Sequence, residues 1–476
     1  MSPEEFRKHG HAVIDWIADY WQQMGDLPVR SQSRPGEVAL QLSADAPQTG
    51  EPFEAVLADL DSVVLPGITH WQHPRFFAYF PANSSPAAVL GDLISSGIGA
   101  QGMLWSTSPA VTEIEQRVTD WLADAIGLGD WCRNGGDGNG GGVIQDTAST
   151  ATMTALLAAI HRASGGSARD AGLQHGNRYA VYASSEAHSS VLKAAMMTGI
   201  GSDNVRQITV DPQTQQMDVE ALATALERDV ADGIVPTMIV SAVGTTATCA
   251  IDPTRQIGAI AAKYGTWLHV DAAFAGTAAV CEEHRYLLDG IDEYADSMVT
   301  NPHKWLLTTF DCSVLWVRDR TAVTGALSIL PEYLRNAASE SGTVVDYRDW
   351  HPQLGRRFRA MKLWTVLRTY GLTGLQAHIR SGIAMAEQLE KLIAADERFD
   401  VVLPRSLSLV CFALKDADRS EALMEAINAE GFAYLTHTKL DGKFVLRASI
   451  GGVWTTPQDI EATWRAIQRA ADRLAG

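Results

Sequence analysis

The stretch Trp267-Leu268-His269-Val270-Asp271-Ala272-Ala273 decides the fold. An apolar run that ends on a carboxylate and two small residues reads as a strand buried on both faces, with Asp271 just beyond its carboxyl end. Working outward, similar short runs recur at 179–183, 205–210, 238–243, 297–300 and 313–317, and helical patterns lie between several of them, as at 219–226 and 257–264. Near-continuous apolar runs separated by helices predict an α/β domain whose mainly parallel central sheet is covered by helices. Beyond about residue 360 a long helical stretch, strand-like segments at 407–414 and 444–448 and a closing helix predict a smaller α+β domain. Thr456, Pro457 and Asp459 cap that last helix, and Ile460, Trp464, Ile467 and Leu474 form its stripe. At the other end Ser2-Pro3-Glu4-Glu5 is a capping-box pattern, and Phe6, Val13, Ile14, Ile17 and Trp21 follow at helical spacing. The expected division is 1–85 (N-terminal helical segment), 86–360 (large α/β domain) and 361–476 (small α+β domain).

Composition narrows the partners. The 476 residues include 38 Lys and Arg against 56 Asp and Glu, a net charge of −18. Such a chain repels phosphate backbones and anionic lipid, so binding to nucleic acid or a membrane surface is not expected. The densest cationic cluster, Arg356, Arg357, Arg359 and Lys362, alternates with apolar residues and forms no basic patch. Five cysteines without a CxxC spacing read as buried thiols in a reduced, cytoplasmic protein. The N-terminus lacks an export signal, and the uncharged runs 93–112 and 233–251 are interrupted by Gly, Pro, Ser or Thr, so no membrane span is expected. Pairs of potential metal ligands at Cys281/His284 and His70/His73 fall short of the three or four that zinc requires, and no metal is expected. Two GxGxxG matches, at 97–102 and 136–141, lack the strand before and helix after that a dinucleotide fingerprint needs.

Strand ends carry the sharper signals, because open α/β sheets hold ligands there. Gln145-Asp146-Thr147-Ala148-Ser149-Thr150 opens a helix, and its small hydroxyl residues are either caps or an anion site. Asp146 argues against a phosphate unless its carboxylate points away. Asp271 is equally open to two readings, an N-cap or a functional acid. After the run 297–300 stands Asn301-Pro302-His303-Lys304-Trp305, where one of only nine lysines sits among apolar neighbours. Burial disfavours an ammonium, which frees the amine to attack a carbonyl. A phosphate cradle, a carboxylate and a desolvated lysine in one sheet are the three groups that pyridoxal 5'-phosphate requires.

Several motifs then carry a family resemblance over almost the whole length: Thr69-His70-Trp71, Phe77-Ala78-Tyr79-Phe80-Pro81, Ser185-Glu186-Ala187-His188-Ser189-Ser190, Gly244-Thr245-Thr246, His269 to Ala273, Asn301 to Trp305 and Leu354-Gly355-Arg356-Arg357-Phe358. On these residues the chain resembles the group II pyridoxal-phosphate decarboxylases, and within them the aromatic-L-amino-acid decarboxylases. The resemblance implies a fold-type-I architecture and an obligate homodimer with active sites at the subunit interface, which would give the N-terminal helix a partner surface. It makes Lys304 the Schiff-base lysine and Asp271 the partner of the pyridinium nitrogen, with His188 stacked on one ring face and Ala273 on the other. Thr147, Ala148, Ser149 and Asn301 would hold the phosphate, Thr246 would lie near the ring hydroxyl or the substrate, and His303 near the substrate carboxylate. Trp71, Tyr79, Phe80 and Pro81 match the side-chain pocket. Gln101 and Met103, contributed by the partner subunit, occupy positions that usually carry aliphatic or aromatic residues, and Asp146 replaces a small residue. The proton donor of the family is a loop Tyr, matched by Tyr333 in Leu330-Pro331-Glu332-Tyr333-Leu334.

These residues also separate rival chemistries. Related aromatic acetaldehyde synthases typically lack either the loop Tyr or the stacking His, and this chain keeps both Tyr333 and His188. In plant members a Gly at the position of Gly355 goes with indole substrates and a Ser with phenols, which implies tryptophan or 5-hydroxytryptophan, with phenylalanine, tyrosine or DOPA as alternatives. A non-aromatic group II decarboxylase is less expected, because Tyr79 and Phe80 offer no cation to an acidic side chain. An aminotransferase of the same fold type and a non-catalytic binding protein complete the alternatives.

Overall fold

The structure is a computed structural model that describes residues 1–135, 139–174, 176–329 and 344–475. Tyr333 lies outside the described residues, as do residues 136–138 of the 136–141 glycine motif. Two compact units account for the chain: Ala82–Ile383, and Met1–Pro81 together with Ala384–Gly476. The N-terminal segment therefore shares a unit with the C-terminal segment, from which the sequence reading had separated it. The physical reason is a common core, in which Phe77 is buried with Phe412, Leu446, Ile460 and Trp464. Main-chain bonds reinforce it, Phe77 N donating to Tyr434 O at 3.0 Å and Ser449 N to Phe77 O at 2.9 Å.

In the larger unit the strands are β1 (Gly141–Gln145), β2 (Arg178–Ser184), β3 (Val205–Ile208), β4 (Ile234–Ala242), β5 (Trp267–Asp271), β6 (Ser297–Thr300) and β7 (Ser313–Val317). They form one sheet in the order β1-β7-β6-β5-β4-β2-β3. Pairing is parallel from β3 through β6, whereas β7 runs antiparallel to both β6 and β1. Two reversals restore the direction, so β1 points the same way as β4, β5 and β6. The carboxyl ends of β1, β2, β4, β5 and β6 thus share one edge of the sheet, where ligands of such folds bind. Every residue of β1, β5, β6 and β7 is buried, which is why these strands read as continuous apolar runs. Helix Ala148–Ala163 packs Ala151, Ala155, Leu156 and Ala159 into the core formed with Val181, Val240, Val299 and Leu315. Its alanines let it lie close against the strands.

The other unit holds an antiparallel sheet of β8 (Phe399–Val401), β9 (Leu409–Leu414), β10 (Thr436–Leu440) and β11 (Lys443–Ser449), ordered β10-β11-β9-β8. Leu423 and Ile427 of helix Ser420–Glu430 and Ile460, Trp464 and Ile467 of helix Pro457–Ala475 bury against it. Each such side chain contributes about 1.5–3 kcal/mol by leaving water. The Ser2/Glu5 capping box forms as expected, as does the reciprocal Thr456/Asp459 cap. Helix Pro3–Gln23 buries no residue completely and leaves Phe6 and Ile14 exposed.

All five cysteines are free and buried. Among the described residues no helix is long and apolar enough to cross a membrane, and no group of three His, Cys, Asp or Glu residues is placed to hold a metal ion. His70 instead meets the Tyr20 hydroxyl at 2.8 Å, and His73 Nδ1 accepts from Arg75 N. The 97–102 motif begins where helix Pro86–Ile98 ends, with Gly99 as its left-handed cap, so it is no strand-to-helix turn.

Candidate active site

Asp271 is the last residue of β5 rather than the first beyond it. Its main chain accepts from Val243 N at 2.8 Å, and its Oδ1 accepts from Ala273 N at 3.1 Å, which fixes the carboxylate at the sheet edge. Two residues earlier on the strand, His269 is fully buried, with Nδ1 2.8 Å from Ser297 Oγ and Nε2 3.4 Å from Thr152 Oγ1. Trp267 Nε1 donates to the same Ser297 oxygen, leaving the Ser297 hydroxyl hydrogen for His269 Nδ1. Burial brings the His269 pKa down to about 4 against the pull of the Asp271 charge, so a neutral imidazole backs the carboxylate.

Lys304 rides on the single helical turn Pro302–Trp305 that follows β6. The turn is pinned from several sides. Asn301 N donates to Ala273 O at 3.0 Å, Asn301 Oδ1 accepts from Ser313 Oγ at 2.5 Å, and Trp305 stacks on Phe274 with centroids 4.7 Å apart. Asn83 adds two bonds, Nδ2 to Lys304 O at 2.7 Å and N to His303 O at 3.1 Å. Lys304 keeps some solvent contact, yet loss of solvation lowers its pKa against the opposing charge of Asp271. His303 Nδ1 accepts from Cys312 N at 2.9 Å, and burial followed by repulsion from Lys304 takes its pKa down to about 3. It is neutral with its proton on Nε2.

His188 follows β2 at the same edge. Its Nδ1 accepts from Ser190 N at 3.1 Å, which places the proton of the neutral ring on Nε2. The ring retains an exposed face, but surrounding protein still desolvates it enough to lower its pKa, opposed by Asp271 and aided by Lys304. The structure thus brings Lys304, Asp271, His188 and His303 into one electrostatic neighbourhood, with Asn301 and Ala273 bonded beside them. After β4, Gly244 turns the chain toward Thr245 and Thr246 at φ 93°, and a Cβ there would stand 2.8 Å from Ala275 Cβ. After β1, Thr147 is the N-cap of helix Ala148–Ala163 and makes no side-chain capping bond, so the amides of Ala148 and Ser149 open the helix without that cap.

Sequence reasoning missed Asn83, which lacks any local signature, and a buried ion pair behind β1. Arg356 Nη2 meets Glu115 Oε1 at 2.5 Å and Ile144 O at 3.1 Å, its Nη1 donates to Gly102 O at 3.3 Å, and its Nε reaches His351 Nε2 at 2.5 Å. Glu115 also accepts from Ile144 N. The sequence shows Arg356 only as part of a cationic cluster that alternates with apolar residues; the structure buries it almost completely. The pair ties β1 to the 101–103 segment, where Gln101 Oε1 accepts from Arg356 N at 2.6 Å and Met103 O accepts from Arg348 N. That bond orients the Gln101 amide, leaving Nε2 as a donor toward Gly355, whose added Cβ would meet nothing but this nitrogen, at 3.4 Å.

The other unit gathers the aromatic residues. Trp71 stacks on Tyr79 at 5.5 Å, and Tyr434, which carries no motif, sits edge-on to Tyr79 with hydroxyls 3.4 Å apart. Tyr79 is exposed and adopts φ 53°, while Phe80 and Pro81 are buried, Phe80 beneath the Arg447 guanidinium at 5.6 Å.

Comparison with known proteins gives the family. Residues 35–415 match the pyridoxal-dependent decarboxylase conserved domain. A phenylacetaldehyde synthase of Arabidopsis thaliana is 44% identical over 483 residues, covering 100% of this chain and 97% of the relative. Tyrosine decarboxylase 2 of Narcissus pseudonarcissus is 42% identical over 486 residues, covering 100% and 96%. The crystal structure of Oryza sativa TDC with PLP and tryptamine superposes with a TM-score of 0.96 at 40% identity, covering 100% of this chain and 99% of that one. The chain belongs to the pyridoxal-dependent decarboxylase family and is a carboxy-lyase that uses pyridoxal phosphate. Its particular place is among the group II aromatic-amino-acid decarboxylases. The residues present fit the cofactor: an amine whose ammonium form is disfavoured lies near a fixed carboxylate, on the same sheet edge as a helix start without a side-chain cap.

Proposed function

We propose that the protein decarboxylates aromatic L-amino acids to arylalkylamines and carbon dioxide, with tryptophan and 5-hydroxytryptophan favoured over phenylalanine, tyrosine and DOPA. The observation that carries this reading is the meeting of Asp271 and the desolvated Lys304 at the ends of β5 and β6. When bound, pyridoxal phosphate supplies an electron sink for the pair that a departing carboxylate leaves on Cα. Lys304 would hold the cofactor through its amine, whose ammonium form burial disfavours. Asp271 keeps a proton on the ring nitrogen, and the neutral His269 behind it does not offset its charge. His188 would lie against one cofactor face and Ala273 the other, with Thr246 near the ring hydroxyl. Thr147, Ala148, Ser149 and Asn301 hold the phosphate with amide and side-chain donors. His303 offers Nε2–H to the substrate carboxylate, and Tyr333 holds the proton destined for Cα.

The substrate reading rests on Gly355 and on the aromatic set Trp71, Tyr79, Phe80 and Pro81, with Gln101 and Met103 completing the walls from a second subunit of a homodimer. The open face of Gly355 suits an indole, and the oriented Gln101 amide suits a ring hydroxyl. Five unpaired cysteines suit a reduced, cytoplasmic setting.

The relatives' names divide between amine and aldehyde producers, and the presence of both Tyr333 and His188 supports the amine. The test is a substrate panel scored for amine, aldehyde and peroxide. Wild type is expected to yield amine, and Gly355→Ser to lower kcat/KM for tryptophan relative to tyrosine by about tenfold. An unchanged ratio would remove the indole reading. If Tyr333→Phe left amine and aldehyde output unaltered, the proton-donor role would be wrong.

A further inference from the structure

Asp146 stands where a phosphate-binding loop is least expected to carry an acid, one residue before the N-cap of helix Ala148–Ala163. Its side chain is partly buried and turned along the chain, with Oδ1 2.6 Å from Thr147 N and 3.4 Å from Thr147 Oγ1. No cation among the described residues pairs with it within 4 Å. Its charge interacts with Arg359, which is spent elsewhere: Nε and Nη2 hold the two oxygens of Asp311 at 3.1 and 3.2 Å. Burial works against the Arg359 charge, and the Asp311 bonds together with the charges of Asp311 and Asp146 more than restore it. Lys362, the next cation, donates to Asp92 at 3.3 Å and is 4.0 Å from Asp311. Arg359, whose charge interacts with Asp146, is thus committed to Asp311, and Lys362 to Asp92 and Asp311, so the Asp146 charge at the helix start has no ion-pair partner among the described residues.

A carboxylate at that point does two things. It interacts favourably with the positive end of the helix dipole and with the Thr147 amide, so the cofactor-free helix start is already neutralised. It also repels a dianion brought to the same place, and a partly buried site screens that repulsion less than water would. We infer that Asp146 is a positioning residue that stands in for the phosphate in the cofactor-free protein and is a standing competitor to it, so that this chain holds pyridoxal phosphate less tightly than it would with an uncharged residue at 146. The enzyme's loaded fraction then follows the free cofactor concentration more closely than in a chain without the acid. This inference rests on the assignment of Thr147, Ala148 and Ser149 to the phosphate.

Asp146→Asn isolates the charge, since an amide oxygen can still accept from Thr147 N. Pyridoxal phosphate and pyridoxal, which lacks the phosphate, are titrated separately into the full-length cofactor-free chain, with binding followed by tryptophan fluorescence, and melting temperatures are recorded with and without cofactor. For Asp146→Asn the dissociation constant for pyridoxal phosphate is expected to fall at least fivefold while that for pyridoxal stays within twofold. The melting temperature of the cofactor-free chain is expected to fall, widening the gap to the loaded protein. An unchanged or weakened affinity for pyridoxal phosphate, or an equal gain for pyridoxal, overturns the inference. Ser149→Ala separates the two readings. If it loosens pyridoxal phosphate while Asp146→Asn changes nothing, the inference alone fails; if it leaves pyridoxal phosphate binding untouched, the phosphate assignment fails and takes the inference with it.

Discussion

The strand-end site of the larger unit and the aromatic cluster of the other are built in opposite ways. Asp271, Asn301 and Lys304 take their positions from strands β5 and β6 and the single turn after β6, and short main-chain bonds fix each one. Trp71, Tyr79 and Tyr434 come from segments more than 350 residues apart, meet through ring contacts, and leave Trp71 and Tyr79 exposed. The strand-end groups are held by backbone, whereas the aromatic cluster is held by side chains that substitution can reshape.

The comparison breaks most readily at Lys304. Lys304→Ala is expected to lower kcat by at least about 10⁴-fold, with loss of the visible absorbance of the covalently held cofactor. A variant retaining more than a hundredth of wild-type turnover would move the central nucleophile elsewhere. The next largest effect falls on the scaffold behind β1. Glu115→Gln leaves Arg356 buried beside a neutral group, and chemical denaturation should report a loss of about 3–5 kcal/mol. A loss under about 1 kcal/mol would show that the pair is not what ties β1 to the 101–103 segment.

Acid probes the strand-end unit directly, because two neutral histidines are buried around its site. His269 and His303 have folded-state pKa values of about 4 and about 3, below the ordinary 6.5. Between those values the unfolded chain binds protons that the folded chain refuses, so stability falls as pH drops from 6.5 and is unaffected above about 7.5. At pH 5 the loss is about 2 kcal/mol for each ring. Urea unfolding at pH 7.5 and 5.0 measures it, and His269→Asn should reduce the loss by about 2 kcal/mol, the share of that one ring. The smallest effect belongs to the aromatic cluster. Tyr434→Phe removes one hydroxyl contact to Tyr79 and should shift KM for aromatic substrates about two- to fivefold with kcat nearly constant. A large drop in kcat instead would make Tyr434 part of the chemistry.

Local signals explain what was legible beforehand. A buried parallel strand must be apolar along its whole length, and a ligand group must stand at its end, so 267–273 and 297–304 announced both the sheet and the chemistry. The antiparallel turn of β7 was not visible, since a fully buried strand reads alike in either direction. Arg356 and Glu115 were opaque for a different reason. Their pairing spans 241 residues, and nothing in a charge's immediate neighbours reveals that its partner arrives from so far away. Asn83 and Tyr434 share that long-range character.

The most direct test of the central claim is the stoichiometry of the loaded enzyme with L-tryptophan under air. One amine is expected for each carbon dioxide released, with no peroxide. Aldehyde and peroxide formed in step with carbon dioxide, or keto acid formed without it, would contradict it.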